Sequence, residues 1–172
     1  RHGVPPFARG MKKIAVFASG GGSNLQALID ACRSRRIHGQ IALVVSNKDE
    51  AGALKRAREA NIPAVVARLA DFDSPAAHSA FLAAECRKKG VDLICLAGFM
   101  IQVRSPLLEA FPNRILNIHP ALLPAFGGKG MYGLKVHEAV LASGVKLSGC
   151  TIHLVDEIYD NGAILAQSPV PV

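Results

Sequence analysis

Tryptophan is absent from this chain, tyrosine occurs twice, and aromatic residues make up 5% of it. A surface for single-stranded nucleic acid stacks bases on rings interleaved with cations. The few rings here do not alternate with the basic residues, so nucleic acid is not an expected partner despite a net charge of +7. The cations fall in short groups: Arg33, Arg35 and Arg36, then Lys55, Arg56 and Arg58, then Arg87, Lys88 and Lys89. Each group lies late in a predicted helix or at its end, where positive charge opposes the helix dipole. An anionic small substrate suits the same balance. Long apolar runs are missing as well. The longest, such as Ile41 to Val45 and Leu93 to Ala97, are strand-sized. A membrane helix needs roughly 20 such residues, so no membrane is expected either. Cysteine is sparse, and Cys32, Cys86, Cys95 and Cys150 show no zinc or redox spacing. They read as free thiols in a reducing cytoplasm. Residues Arg1 to Gly10 lack the layout of a secretory signal. Met11-Lys12-Lys13 reads like a natural start, so 1–10 is expected to be a flexible upstream extension.

Half of the 172 residues are hydrophobic, which suits one domain with one sizeable core. Strand-like and helical patterns alternate along it. Lys13 to Ala18 reads as a buried strand. Ser23 to Arg33 follows as a helix, with Leu25, Leu28, Ile29 and Cys32 on one face. Strands are predicted over 41–46, 63–68, 91–97 and 114–118, and helices over 51–60, 76–89 and 136–142. Residues 146–155 and 163–170 read as two closing strands. The order predicts an α/β fold with a mostly parallel central sheet and helices on both faces. Ligands of such sheets sit at the carboxyl ends of the strands. The loops after strands one, four and five are therefore the places to look.

Ser19-Gly20-Gly21-Gly22-Ser23-Asn24 leaves the first strand and enters the first helix. Three successive glycines let backbone N–H groups approach an anion closely, and a helix start favours phosphate. Ser23 is expected as the N-cap, with Gln26 completing a capping box. The loop is not a Walker loop, since no Gly-Lys-Ser/Thr follows. It also lacks the full dinucleotide spacing, and Ser46-Asn47-Lys48 stands where an acidic residue would end strand two. A tight turn before a capped helix is the competing reading.

Asn117-Ile118-His119-Pro120 closes strand five, and alternation puts Asn117 and His119 on one side. An amide donor beside an imidazole suits acyl transfer, which needs an oxyanion donor and a general acid or base. A structural histidine at a strand end would explain the same residues. Between the closing strands, Asp156 and Glu157 read as solvated turn residues. Asp160 is the carboxylate expected to approach His119, and a nearby carboxylate favours an imidazolium. Leu96 to Met100, followed by Ile101-Gln102-Val103, would suit a flat heterocycle and would equally suit plain core.

In order and spacing, Ser19 to Ala27, Ala97-Gly98-Phe99-Met100, Asn117-Ile118-His119-Pro120-Ala121-Leu122-Leu123-Pro124 and Asp160-Asn161-Gly162 resemble the glycinamide ribonucleotide formyltransferases. The resemblance runs from about Met11 to Val172. The Asn-x-His-Pro segment is shared with other formyl-folate enzymes, and the Gly-Gly-Ser-Asn loop is the more specific mark. The resemblance implies a Rossmann-like formyltransferase fold and a cytoplasmic enzyme, monomer or homodimer. It implies transfer of a formyl group from 10-formyltetrahydrofolate to the amine of glycinamide ribonucleotide in purine biosynthesis, without a metal. It assigns Gly22, Ser23 and Asn24 to the ribonucleotide phosphate, and Met100, Ile101, Gln102 and Val103 to the folate pocket with Asn117 at the formyl group. His119 becomes the proton donor and Asp160 the group that tunes it.

The chain departs from the family pattern at Ile101, where a basic residue is common, and near Pro75, where an arginine is common. The loop Phe126 to Gly133 is longer than in some members. Relatives continue beyond the position of Val172. The two last strands bring no following helix, and the mean hydropathy is positive, +0.26. Residues 11–172 are thus expected to be a single domain lacking its C-terminal segment. Two other readings are formyltetrahydrofolate hydrolysis, with water replacing the amine, and a truncated, non-catalytic ligand-binding relative.

Overall fold

Strand β1 (Lys12–Phe17) is apolar at successive positions because both of its faces are covered. In the computed structural model, which describes residues 10–172, its side chains divide by alternation. Ala15 and Phe17 pack on one face with Leu82, Ala83 and Cys86 of helix α3 (Pro75–Lys88). Ile14 and Val16 pack on the other with Leu25 and Ile29 of helix α1 (Ser23–Arg33), and with Ala53 and Ala57 of helix α2 (Gly52–Glu59). Phe17 is fully buried, and truncating such a side chain to alanine typically costs about 3–5 kcal/mol. Of the expected extension at 1–10, only Gly10, an exposed bend, falls within the described residues.

The remaining strands are β2 (Gly39–Ser46), β3 (Ala64–Val66), β4 (Leu93–Leu96), β5 (Ile115–His119), β6 (Leu147–Leu154) and β7 (Ile164–Pro171). They form one seven-stranded sheet in the order β3-β2-β1-β4-β5-β6-β7. Pairings from β3 to β5 are parallel, and β6 and β7 are antiparallel to their neighbours. The order reverses at β1, where the chain leaves toward β2 on one side and returns as β4 on the other. That switch point opens a crevice beyond the carboxyl ends of β1 and β4. Strand β7 is one edge of the sheet, β3 being the other, and all residues of β7 are exposed.

Local chemistry sets some of the helix ends. Ser74 accepts from the Ala77 N–H and Pro75 occupies the first turn of α3, whose last turn carries Arg87 and Lys88. Helix α5 (Leu134–Ser143) stops at Gly144, which is left-handed. Helix α4 (Leu107–Ala110) is a single turn that seals the core with the fully buried Leu107.

The four thiols are free. Burial pushes the Cys86 thiol up to about 12 and that of Cys95 up to about 11, which leaves both protonated and unreactive. Among the described residues, no helix is long and apolar enough to cross a membrane.

Candidate active site

The glycine loop between β1 and α1 is held open at the helix start. Gly22, at φ 76° and ψ 30°, is the N-cap, and no side chain caps α1. The expected Ser23–Gln26 capping box does not form. Ser23 is already helical, and Gln26 turns its side chain to Asp30 and Arg56 instead. The first helical bond runs from the Gln26 N–H to the Gly22 carbonyl at 2.9 Å. The N–H groups of Ser23, Asn24 and Leu25 therefore stand ahead of the ladder. With no acidic residue in that turn, the positive end of the dipole is left for an external anion.

Ser19 ties this loop to its neighbours. Its N–H donates to the Gly98 carbonyl at 3.0 Å. Its hydroxyl accepts from the Met100 N–H at 2.8 Å and donates to Asn47 Oδ1. The loops after β1, β2 and β4 thus meet at one buried hydroxyl.

Opposite them lies a cluster built across three elements. Asn117 and His119 come from the end of β5, and the antiparallel register sets His153 of β6 directly across from Asn117. Asp160 comes from the β6–β7 turn at φ 55°, a left-handed conformation uncommon outside glycine, asparagine and aspartate. Asp160 Oδ2 is 3.5 Å from His119 Nδ1, and Oδ1 is 3.5 Å from His153 Nε2. The Gly128 N–H donates to Asp160 Oδ2 at 2.9 Å. Asn117 Nδ2 lies 3.0 Å from His153 Nε2 and 3.4 Å from Asp160 Oδ1. Both histidines are buried, at 3% and 2% exposure.

The backbone fixes both imidazole tautomers. His119 Nε2 is 2.8 Å from the Phe126 carbonyl, and His153 Nδ1 is 2.8 Å from the Leu154 carbonyl. A carbonyl only accepts, so each of those nitrogens carries a hydrogen. The other two nitrogens, His119 Nδ1 and His153 Nε2, both face Asp160. For His153, burial disfavours charge, but the Asp160 hydrogen bond, the Leu154 carbonyl and the charges of Asp160 and Asp156 outweigh it and hold its pKa above the ordinary value. For Asp160, burial favours the neutral acid. Hydrogen bonds from His153 and Gly128, with the charges of His119 and His153, outweigh burial and hold its pKa low.

Two hollows meet at this cluster. A cleft of about 770 Å³ is lined by Ser23, Asn24, Met100, Asn117 and His119, among others. A narrower cavity of about 70 Å³ is lined by Ile101, Gln102, Val103 and His153, among others. They share Phe99, Asn117, Tyr159 and Asp160. Asn117, His119 and Asp160 are thus brought together as expected, and Ser23 and Asn24 face them across one cleft. The segment expected to hold a folate divides, with Met100 on the wide cleft and Ile101 to Val103 on the narrow cavity.

Sequence reasoning missed His153. Its signal was a polar residue on an apolar strand, which gained meaning only with the register to β5. The Phe126 and Gly128 backbone groups left no signal in side-chain patterns. Asp156, read as a turn residue, does organise the turn: its carboxylate accepts from the Ile158 N–H at 2.8 Å and from the Asn161 amide at 3.2 Å. Among the described residues, no group of three or more His, Cys, Asp or Glu is arranged to hold a metal ion.

Known proteins match this arrangement over nearly the whole chain. A chloroplastic phosphoribosylglycinamide formyltransferase of Arabidopsis thaliana is 51% identical over 162 residues, covering 94% of this chain and 56% of the relative. The phosphoribosylglycinamide formyltransferase of Haemophilus influenzae is 41% identical, covering 94% of this chain and 74% of the relative. The crystal structure of glycinamide ribonucleotide transformylase 1 from Symbiobacterium toebii superposes with a TM-score of 0.89 at 46% identity, covering 100% of this chain and 79% of that one. The chain spans about half the length of the two plant relatives, 56% and 52%. The family described as formyl transferase matches residues 12–172, and on that match the chain belongs to the formyl transferase family.

Proposed function

We propose that this chain transfers the formyl group of 10-formyltetrahydrofolate to the amine of glycinamide ribonucleotide, a step of de novo purine biosynthesis. The observation that carries the reading is the junction of the two hollows at Asn117 and Asp160. A ribonucleotide with its phosphate at Gly22, Ser23 and Asn24 enters by the wide cleft. The folate enters along Ile101, Gln102 and Val103, with Met100 at the boundary. The amine and the formyl carbon then meet beside Asn117, His119 and Asp160.

In this reading the amine nitrogen bonds to the formyl carbon and the carbonyl electrons move to oxygen. Asn117 donates to that oxyanion, displacing its long 3.4 Å contact with Asp160. The attacking nitrogen sheds a proton, the bond from carbon to the folate nitrogen breaks, and that nitrogen takes a proton. His119 Nδ1 is the nitrogen that exchanges it, since Nε2 stays on the Phe126 carbonyl. Asp160 holds the imidazole in place, and positioning of both reactants supplies the rest. The formyl-folate is a co-substrate, and the chemistry uses no metal. The free thiols fit a cytoplasmic setting.

An assay of formyl transfer with and without glycinamide ribonucleotide tests the proposal. Formylated product that appears only with the ribonucleotide is the expected result. Release of formate at equal rate without it would mean hydrolysis. No turnover alongside intact binding of both ligands would mean a non-catalytic binder.

A further inference from the structure

The glycine loop has a back as well as a front, and helix α2 forms the back. The Ala53 N–H donates to the Gly20 carbonyl at 3.0 Å. Arg56 Nε donates to the Gly21 carbonyl at 2.8 Å. In a planar trans peptide the carbonyl of one residue and the N–H of the next point in opposite directions. Two carbonyls drawn onto α2 therefore turn the N–H groups of Gly21 and Gly22 away from it, and the Ser23 and Asn24 that follow line the cleft. Left-handed Gly22 followed by helical Ser23 curves these donors into a concave nest.

The approach of α2 leaves no space for a side chain at Gly22 or Gly52. A Cβ on Gly22 would lie 2.8 Å from Ala53 Cα, and one on Gly52 would lie 3.0 Å from Gly21 Cα. Arg56 has a second anchor, since Nη1 donates to Gln26 Oε1 at 3.2 Å in the first turn of α1. One guanidinium thus bridges the loop and the helix that present the nest. No carboxylate among the described residues forms an ion pair with Arg56. Arg68, by contrast, is paired with both Asp49 and Asp71. The Arg56 charge therefore stands behind the nest without a carboxylate partner.

We propose that Arg56 is a positioning residue for the substrate phosphate, holding the Gly21 carbonyl and Gln26 so that the loop N–H groups face the anion. This rests on the assignment of the loop to the ribonucleotide phosphate. Its position late in α2 already accounted for the charge in sequence terms. The two hydrogen bonds account for the choice of arginine, because lysine lacks the planar fork that reaches two acceptors.

The test is calorimetric titration of glycinamide ribonucleotide and of the phosphate-free glycinamide riboside. The proteins are the unaltered chain, Arg56→Ala and Arg56→Lys. Arg56→Ala is expected to weaken ribonucleotide binding about tenfold, the scale of one charge-assisted hydrogen bond, and riboside binding less than twofold. Arg56→Lys is expected to fall between the unaltered chain and Arg56→Ala. Unchanged ribonucleotide affinity in Arg56→Ala, or equal weakening of both ligands, overturns the role of Arg56. Full recovery in Arg56→Lys also overturns it, since charge alone would then suffice. Equal affinity of the unaltered chain for both ligands instead refutes the phosphate assignment, and the Arg56 proposal falls with it.

Discussion

Replacing Asp160 with asparagine separates charge from shape at the centre of the site. Asparagine tolerates the left-handed φ of 55° and can still accept from the Gly128 N–H, so the backbone has no reason to move. What is lost is a carboxylate whose side chain is 10% exposed, 3.5 Å from two imidazole nitrogens. Two unit charges at that distance attract by about 5 kcal/mol at an effective dielectric of about 20. Burial opposes the charge on both partners, and residual solvent screens it further. A net destabilisation of about 2 kcal/mol near pH 6 is the expected remainder.

The pH dependence follows from the signs. The Asp160 pKa is depressed, so its contribution is complete above the ordinary value of 3.8 and is lost as pH falls through the folded value below it. The His153 pKa is raised, so its contribution is complete below the ordinary 6.5 and is lost as pH rises through the folded value above it. The stability difference between the unaltered chain and Asp160→Asn is therefore a plateau between 3.8 and 6.5 that declines on both sides. Urea unfolding of the two proteins from below pH 3.8 to above pH 6.5 measures it. A difference that stays constant from acid to alkaline pH would refute the reasoning, because it would owe nothing to the charge pair.

Other substitutions test the remaining assignments. His119→Ala should lower formyl transfer by about a hundredfold to ten-thousandfold with the fold retained by circular dichroism, and near-normal turnover would remove His119 from the chemistry. Sulfate or phosphate soaked into crystals should sit on the backbone N–H groups of Gly22, Ser23 and Asn24; an empty loop at high phosphate would argue for a mere turn. Gly22→Val should weaken ribonucleotide binding and spare folate binding, whereas equal loss of both would report collapse of the loop against Ala53. Exhaustive chelation should leave turnover unchanged, and activity restored only by a divalent ion would contradict the proposed chemistry.

Helix α1 was legible to its ends, because Leu25 and Ile29 recur at helical spacing and both are buried. The central strands were legible as apolar runs, and β1 shows why: covered on both faces, it has no polar side to display. Helix α4 was not legible, since one turn carries no period. The capping box failed for a different reason: Gly22 adopts the left-handed conformation and becomes the N-cap, so Ser23 begins the helix. At the site, Asn117 and His119 were visible as neighbours on one strand. Their partner His153 was not, because only the antiparallel register of β6 brings it across. Residue types can be read along the chain, but the reversal of strand direction after β5 belongs to the sheet.

That reversal also sets the time at which the site comes into being. Asn117 and His153 are 36 positions apart, Asn117 and Asp160 are 43 apart, and Ser19 and Met100 are 81 apart. Contacts of this span close large loops before they return any stabilisation, so they form slowly. In any refolding species whose β6 is not yet paired with β5, Asn117 lacks the His153 imidazole opposite it and the site is incomplete. Ligand binding returns only when the last strands dock, which makes it a stricter measure of the native state than any spectrum of the backbone.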